Sequence, residues 1–353
     1  MAKRQVWLDN IKFIAMFLVV MYHTPPRCNC EGHVHELALF NLGAPVFFFA
    51  AGYLFNMARQ QNFFSFLRHR ARQILVPYTT FFVIFYALWL VVGRRMAGAE
   101  EQAVDVYTPL WQFITGQPDV VLGPFWFLAC LFTMQLLYYP IRRYLSGWWP
   151  MAVAVLLSLS LFVIPAVPWV QYWNFDRALL YMPIYAFGNM VNPFPWKAHG
   201  VAPESVKPLA DYFTLSPASR VALWCACAAL GLGFLIFAPM KLDREVAYVF
   251  APIAIVLVVP FYTACCRLME RWPALCRVAR VVAITSITYL ALQNYLIGII
   301  KILVGKVMGP EILDGSLLFK VLIALAVMVA LYPLALLVDR YFPFLLGKPY
   351  RKD

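Results

Sequence analysis

The stretch "VWLDNIKFIAMFLVVMYHT" (residues 6–24) reads as a helix that crosses a bilayer. At about 1.5 Å of rise per residue it extends about 28 Å, close to the ~30 Å of a hydrocarbon core. Only Asp9 and Lys12 interrupt its apolar and aromatic run with formal charge. Comparable runs recur at 37–57, 75–93, 124–140, 148–168, 177–193, 219–239, 247–265, 281–303 and 316–337. Of the 353 residues, 63% are hydrophobic and 13% charged, with a mean hydropathy of +0.72. Soluble domains are only about half apolar. The sequence therefore predicts an all-α, polytopic transmembrane bundle of about ten spans. Residues 1–340 read as a single membrane domain and 341–353 as a short basic tail. Because other spans follow the first apolar run so closely, it reads as a retained span and not as a cleaved leader.

Lys and Arg set the orientation, since basic loops resist translocation. With the N-terminus inside, nineteen Lys and Arg fall on inner segments and nine on outer segments and their flanks, with Lys12 well inside a span. Both termini are thus expected in the cytoplasm, and the loop after residue 23 outside, in a multi-pass protein of the cytoplasmic (inner) membrane. The net charge of +12 fits this inward bias and attraction to anionic lipid. No basic stripe interleaved with exposed aromatics, and no nucleic-acid motif, points to a nucleic-acid partner.

The outer loop contains "YHTPPRCNCEGHVHE" (22–36), with Cys28, Cys30, His33 and His35. These are zinc or copper donor types, but their i, i+2 spacings differ from the C-x2-4-C and H-x3-5-H patterns that converge on one tetrahedral ion. A solvated loop without metal is expected. The other six cysteines lie in spans or at their cytoplasmic ends, where they act as small apolar residues.

His23 ends the first helix. At about 100° per residue, Lys12 lies within about 20° of it around the axis, and Asp9 shares that face. Along the axis Lys12 and His23 are about 16 Å apart, one near each surface. Ionisable groups in a span normally face the bundle interior or a watery cavity. A snorkelling Lys12 and an interfacial His23 are the plainer alternatives. Four later stretches add to the pattern. "GAPVFFFAAGYLF" (43–55) sets small residues beside an aromatic wall, where Gly permits close backbone approach. "RHRARQILVPY" (68–78) puts Arg72 at the cytoplasmic mouth of the third span. "GPFWFLACLF" (123–132) and "SITYLALQNYL" (286–296) bring Trp126, Tyr289, Gln293 and Asn294 into apolar helices. Interfacial aromatics, positive-inside charge and interhelical hydrogen bonds would account for these residues equally.

Together these motifs resemble the integral-membrane acyltransferase-3 family, closest to its fucose 4-O-acetylase-like and enterobacterial-common-antigen acetylase branch. The resemblance rests on the Lys, ten residues, His spacing in "WLDNIKFIAMFLVVMYHTP", the aromatic-small-Gly-Tyr run, the Arg before Pro-Tyr, Trp-Phe-Leu, and the late Ser-x-x-Tyr helix. Two positions depart from the family pattern: Ala51 stands where Ser often precedes Gly, and Gln293 where the late helix often carries His.

The resemblance implies transfer of an acyl group, most often acetyl, from cytoplasmic acyl-CoA to a hydroxyl of a surface glycan or its lipid-linked precursor. Acetyl-CoA is then a donor substrate, and no permanently bound cofactor is expected. His23 is the implied base or acyl carrier. Asp9 joins it in the catalytic set, orienting Lys12 or fixing the cytoplasmic vestibule. Lys12 and Arg72 would hold the CoA phosphates. Asn10, Tyr53, Trp126, Tyr289, Gln293 and Asn294 are implied lining residues. Membrane lipid, acyl-CoA and the glycan acceptor are the expected partners, with oligomerisation open. The competing class is a non-enzymatic carrier or flippase for an anionic or glycan substrate. Against it, the halves show no inverted repeat and no G-x-x-x-x-G-K-[ST] motif occurs.

Overall fold

A computed structural model of the chain describes residues 5–24, 42–56, 62–94, 104–162, 168–192, 217–241, 244–309 and 317–348. Every regular element among them is helical. The Cys28 to His35 stretch lies outside the described residues. Each expected span has a helix in its place: α1 (Val6–His23), α2 (Gly43–Tyr53), α3 (Phe63–Gly93), then a short α4 (Tyr107–Ile114), α5 (Trp126–Tyr144), α6 (Trp149–Leu159) and α7 (Phe175–Met190). They continue with α8 (Pro217–Lys241), α9 (Arg244–Leu268), α10 (Pro273–Ile284), α11 (Ser286–Met308) and α12 (Leu317–Tyr341).

Among the described residues, seven helical stretches are long and apolar enough to cross a membrane. The exceptions among the ten are α2, α6 and α7, with 11, 11 and 16 residues. For α6 the reason is local, since it tightens into a 3-10 turn at Ser160–Phe162. In sequence Pro165 and Pro168 follow, which a continuing helix does not tolerate. The short α2 and α7 lie inside the bundle, eight and ten of their residues being buried.

α1 runs through the middle of the bundle, against α2, α9, α10, α11 and α12. Its Ile11, Ala15 and Val20 are fully buried. α2 and α7 approach so closely that a Cβ on Gly52 would collide with the Tyr185 carbonyl, and one on Gly188 with the Phe49 carbonyl. The small residues of "GAPVFFFAAGYLF" thus serve the close approach that the sequence implies. Large apolar side chains point outward on α8 (Val221, Leu230, Phe237) and α12 (Leu318, Leu322, Val329), as on a lipid-facing wall.

Two helix irregularities position the site. Within α3, Ala71–Leu75 is π-helical, with Val76 N–H donating to the Ala71 carbonyl. Pro77 lacks an N–H, and its ring would crowd the Gln73 carbonyl, so widening one turn relieves the clash. The expected single span 281–303 is instead broken at Thr285, whose φ of −105° and ψ of 16° leave the helix. Its hydroxyl donates to the Val281 carbonyl at 2.8 Å, ending α10 and letting α11 restart at Ser286.

The chain after α12 folds back onto α3. Arg72 Nε donates to the Gly347 carbonyl at 3.1 Å and Thr80 Oγ1 to that of Leu345 at 2.9 Å. Lys348 pairs with Asp339 at 2.5 Å. This is the charge-rich end that the Lys and Arg count assigns to the cytoplasm, and it is called the inner end below.

Candidate active site

A cavity of about 310 Å³ opens where α1 ends. Its wall takes Met16, Val19, Tyr22 and His23 from α1, and Ala44, Pro45 and Phe47 from the start of α2. Trp126, Phe127 and Leu128 come from the start of α5, Arg177 and Tyr181 from that of α7, and Ser286, Ile287 and Leu290 from that of α11. Three helix N-termini, those of α2, α7 and α11, therefore converge on one space, and their first-turn N–H groups give it a positive potential, while α5 enters it as the continuation of the Gly123–Phe125 turn. His23 stands at the opposite pole, the carbonyl end of α1. Its ring is half-buried and meets Tyr22 edge to face at 5.2 Å. At 310 Å³ the space matches the smaller ligand pockets, enough for part of a substrate.

The expected site residues divide between this cavity and other places. His23 and Trp126 line it. Lys12 lies one turn toward the inner end from Met16 on the same helical face, half-buried. Asp9 is buried nearer the start of α1, about 21 Å along the axis from His23, so the two do not meet. Asn10 is fully buried and ties α1 to its neighbours, Nδ2 donating to the Cys266 carbonyl at 2.9 Å. Tyr53 packs edge to face on Trp7 at 4.9 Å, away from the cavity. Arg72 is exposed, at the docked C-terminal segment. Tyr289 is fully buried and donates to the Met328 carbonyl at 3.1 Å.

Gln293 and Asn294 also stand off the cavity wall. Gln293 is fully buried with neither amide atom hydrogen-bonded, and the Asn294 Oδ1 is buried without a partner. Of the late helix's polar side chains, Ser286 lines the cavity, beside Ile287 and Leu290. Among the described residues no cluster of His, Cys, Asp and Glu could hold a metal ion.

A second polar cluster occupies the inner half, on the same α7. Arg142, 3% exposed, donates from Nε to Asn189 Oδ1 at 3.2 Å and from Nη1 to the Leu145 carbonyl at 2.9 Å. Tyr138 donates to the same Asn189 oxygen at 3.1 Å. Asn189 Nδ2 in turn reaches the Phe55 carbonyl at 2.9 Å, closing off the end of α2. Beside this network Arg70 Nε is buried without a hydrogen-bond partner, and the buried Tyr185 hydroxyl lies beside the Gln135 side chain. Arg70 lies within electrostatic reach of Tyr185. Unpaired donors and acceptors in an apolar bundle are costly, and such sites commonly await a polar ligand or water.

Arg177, Tyr181, Tyr185 and Asn189 join the two regions. They recur every four residues in "FDRALLYMPIYAFGNM" and so form one stripe along α7, about 18 Å from first to last. That spacing is readable in the sequence. Between the regions Phe48 stacks with Tyr181 at 5.4 Å and tilts against Phe127 at 4.7 Å, an aromatic floor below the cavity.

No curated protein and no solved structure matches the chain. The family model described as an acyltransferase domain matches residues 5–340, so the chain belongs to the acyltransferase-3 family and is a multi-pass membrane acyltransferase.

Proposed function

We propose that this acyltransferase moves an acetyl group from acetyl-CoA, bound at the inner end, to a hydroxyl of a surface glycan or its lipid-linked precursor held in the cavity beside His23. The protein then resides in the cytoplasmic membrane with both termini inside. The observation that carries this reading is the cavity itself, which presents a histidine at the end of the helix whose other end bears Lys12 on the same face.

The chemistry follows from those positions. His23 accepts the acceptor's hydroxyl proton while that oxygen attacks the thioester carbonyl; the C–O bond forms, the C–S bond breaks, and the imidazolium protonates the departing CoA thiolate. The three helix N-termini supply positive potential where the carbonyl oxygen gains charge. The CoA phosphates are negative, and the inner end offers Arg72 and Lys12 together with Arg70, whose Nε has no protein partner. Between the inner end and His23 stands the floor of Phe48, Phe127 and Tyr181, which the pantetheine arm crosses only when those rings part. The reading toward a glycan follows the resemblance to the O-acetylase branch and the aromatic wall of Trp126 and Tyr181, surfaces suited to stacking on a sugar ring.

The test is direct. Purified protein given acetyl-CoA and a candidate glycan should release free CoA in proportion to acetyl ester formed on the glycan. A strain lacking the protein should lose that ester from its surface polysaccharide by mass spectrometry. CoA release that never depends on a glycan would end this reading.

A further inference from the structure

Arg177 is placed where stability alone would not put it. It is the third residue of α7, in a first turn whose free N–H groups already carry positive charge, and a cation there is unfavourable. It faces a largely apolar cavity. Among the described residues its guanidinium makes no hydrogen bond and no ion pair, although Asp119 and Asp176 are near enough to share its field. It stacks on Trp126, the guanidinium carbon standing 4.6 Å from the ring centroid. Stacking of this kind holds a guanidinium flat while leaving its five N–H donors free at the edge.

The backbone leading to Arg177 is also held in place. Trp173 and Asn174 have φ of 55° and 50°, two successive non-glycine residues in the left-handed region. Such conformations cost energy and persist only where the surroundings enforce them. Here the enforcement comes from the segment after α4 and from α5. The Trp173 N–H donates to the Thr115 carbonyl at 2.6 Å, Asn174 Nδ2 to the Gly116 carbonyl at 2.7 Å, and Thr133 Oγ1 to the Trp173 carbonyl at 2.9 Å. A Cβ on Gly116 would come within 2.7 Å of the Trp173 Cα, so the two segments interlock. The interlock fixes where α7 starts, and with it the direction of Arg177.

We infer that Arg177 is a specificity-determining residue that binds an oxyanion, a carboxylate or a phosphate, carried by the glycan acceptor. The inference rests on the proposed O-acyl transfer and adds to it the class of acceptor. A planar fork of donors beside three helix N-termini is matched to an anionic group, and neutral sugars gain little from it. With its acid on Arg177 and its ring against Trp126, the acceptor would present a neighbouring hydroxyl to His23.

Binding of three soluble disaccharides to the purified, full-length protein tests this without depending on turnover. The probes end in glucuronic acid, in 6-phosphoglucose and in glucose, and their binding is read by titration calorimetry. At least one acidic probe should bind about ten- to one-hundred-fold more tightly than the neutral one, the range of a charge-assisted pair of hydrogen bonds. The preferred acid distinguishes carboxylate from phosphate. Arg177→Gln should shrink the preference to a few-fold, and Arg177→Lys should restore part of it, which a merely misfolded variant would not. If neither acidic probe binds more tightly than the neutral one, or if Arg177→Gln keeps the preference, the assignment is overturned. A retained preference for acid in a protein that releases no CoA with any acceptor would instead refute the transfer reading and leave the anion site standing.

Discussion

Gly52 on α2 lies against the backbone of Tyr185 on α7, so close that a Cβ on Gly52 would collide with the Tyr185 carbonyl oxygen. The contact sits between the cavity at the start of α7 and the Arg142–Asn189 network at its end, and Asn189 also donates to the Gly52 carbonyl at 3.3 Å. Gly52→Ala must therefore push two helix backbones apart, and no side-chain rotation relieves the clash. The expected cost is about 3 kcal/mol, the upper part of the range for overpacked cores. A lower melting temperature in detergent, accompanied by loss of acyl transfer, checks it. Ala51→Ser is the contrast, one small residue for another, and should change the melting temperature little.

His23→Ala should lower kcat about 10²- to 10⁴-fold, the usual loss on removing a general base, while acetyl-CoA binding stays close to that of the parent. The parent protein, with His23 in place, separates base from acyl carrier. With acetyl-CoA and no acceptor, a base releases no CoA, whereas an acylated histidine releases one equivalent in a burst. The expected result is no burst. A correctly inserted His23→Ala that retains parental kcat would remove His23 from the mechanism.

Donor recognition should follow the inner arginines in a graded way. Arg70 has a buried, unpartnered Nε near Tyr185, whereas Arg72 is exposed and already gives its Nε to the Gly347 carbonyl. Arg70→Ala should therefore raise the KM for acetyl-CoA about ten-fold or more at unchanged kcat, the pattern of lost uniform binding. Arg72→Ala should raise KM less and loosen the C-terminal segment, detectable as faster proteolysis near residue 347. Equal KM effects from the two substitutions would contradict this order.

Helix positions were legible because hydropathy and length are local properties, and every expected span has its helix. The close approach at Gly52 was legible too, since a small residue in an aromatic run has few other uses. The face shared by Lys12 and His23 follows from helical periodicity alone. What a helix meets depends on partners distant in sequence, and there the reading thins. Nothing near Arg72 announces Gly347, 275 residues away. The break at Thr285 was hidden because its hydroxyl competes for a carbonyl within an otherwise continuous apolar run. Periodicity gave the late helix a polar face without saying how far the helix is rotated, so Ser286 lines the cavity and Gln293 does not. Arg177 shows the reverse, a residue legible by its four-residue spacing to Tyr181 and Tyr185 once α7 is known to be buried.

Gln293 provides the sharpest separation of structural from functional polarity. It is fully buried on α11, both amide atoms lack hydrogen-bond partners, and the Thr288 hydroxyl on the same helix is likewise unpartnered. A buried polar group without a partner costs about 1–3 kcal/mol, and an apolar side chain of similar size removes that cost. If Gln293 only fills space, Gln293→Leu should raise the melting temperature in detergent and keep kcat within a few-fold of the parent. Asn10→Leu, which removes a buried amide that is hydrogen-bonded to the Cys266 carbonyl, should lower the melting temperature and so calibrates the comparison. The expected outcome for Gln293→Leu is stabilisation with activity kept. A stable Gln293→Leu protein that has lost turnover would mean that the amide serves the substrate, standing in for the histidine that the family often carries at this position.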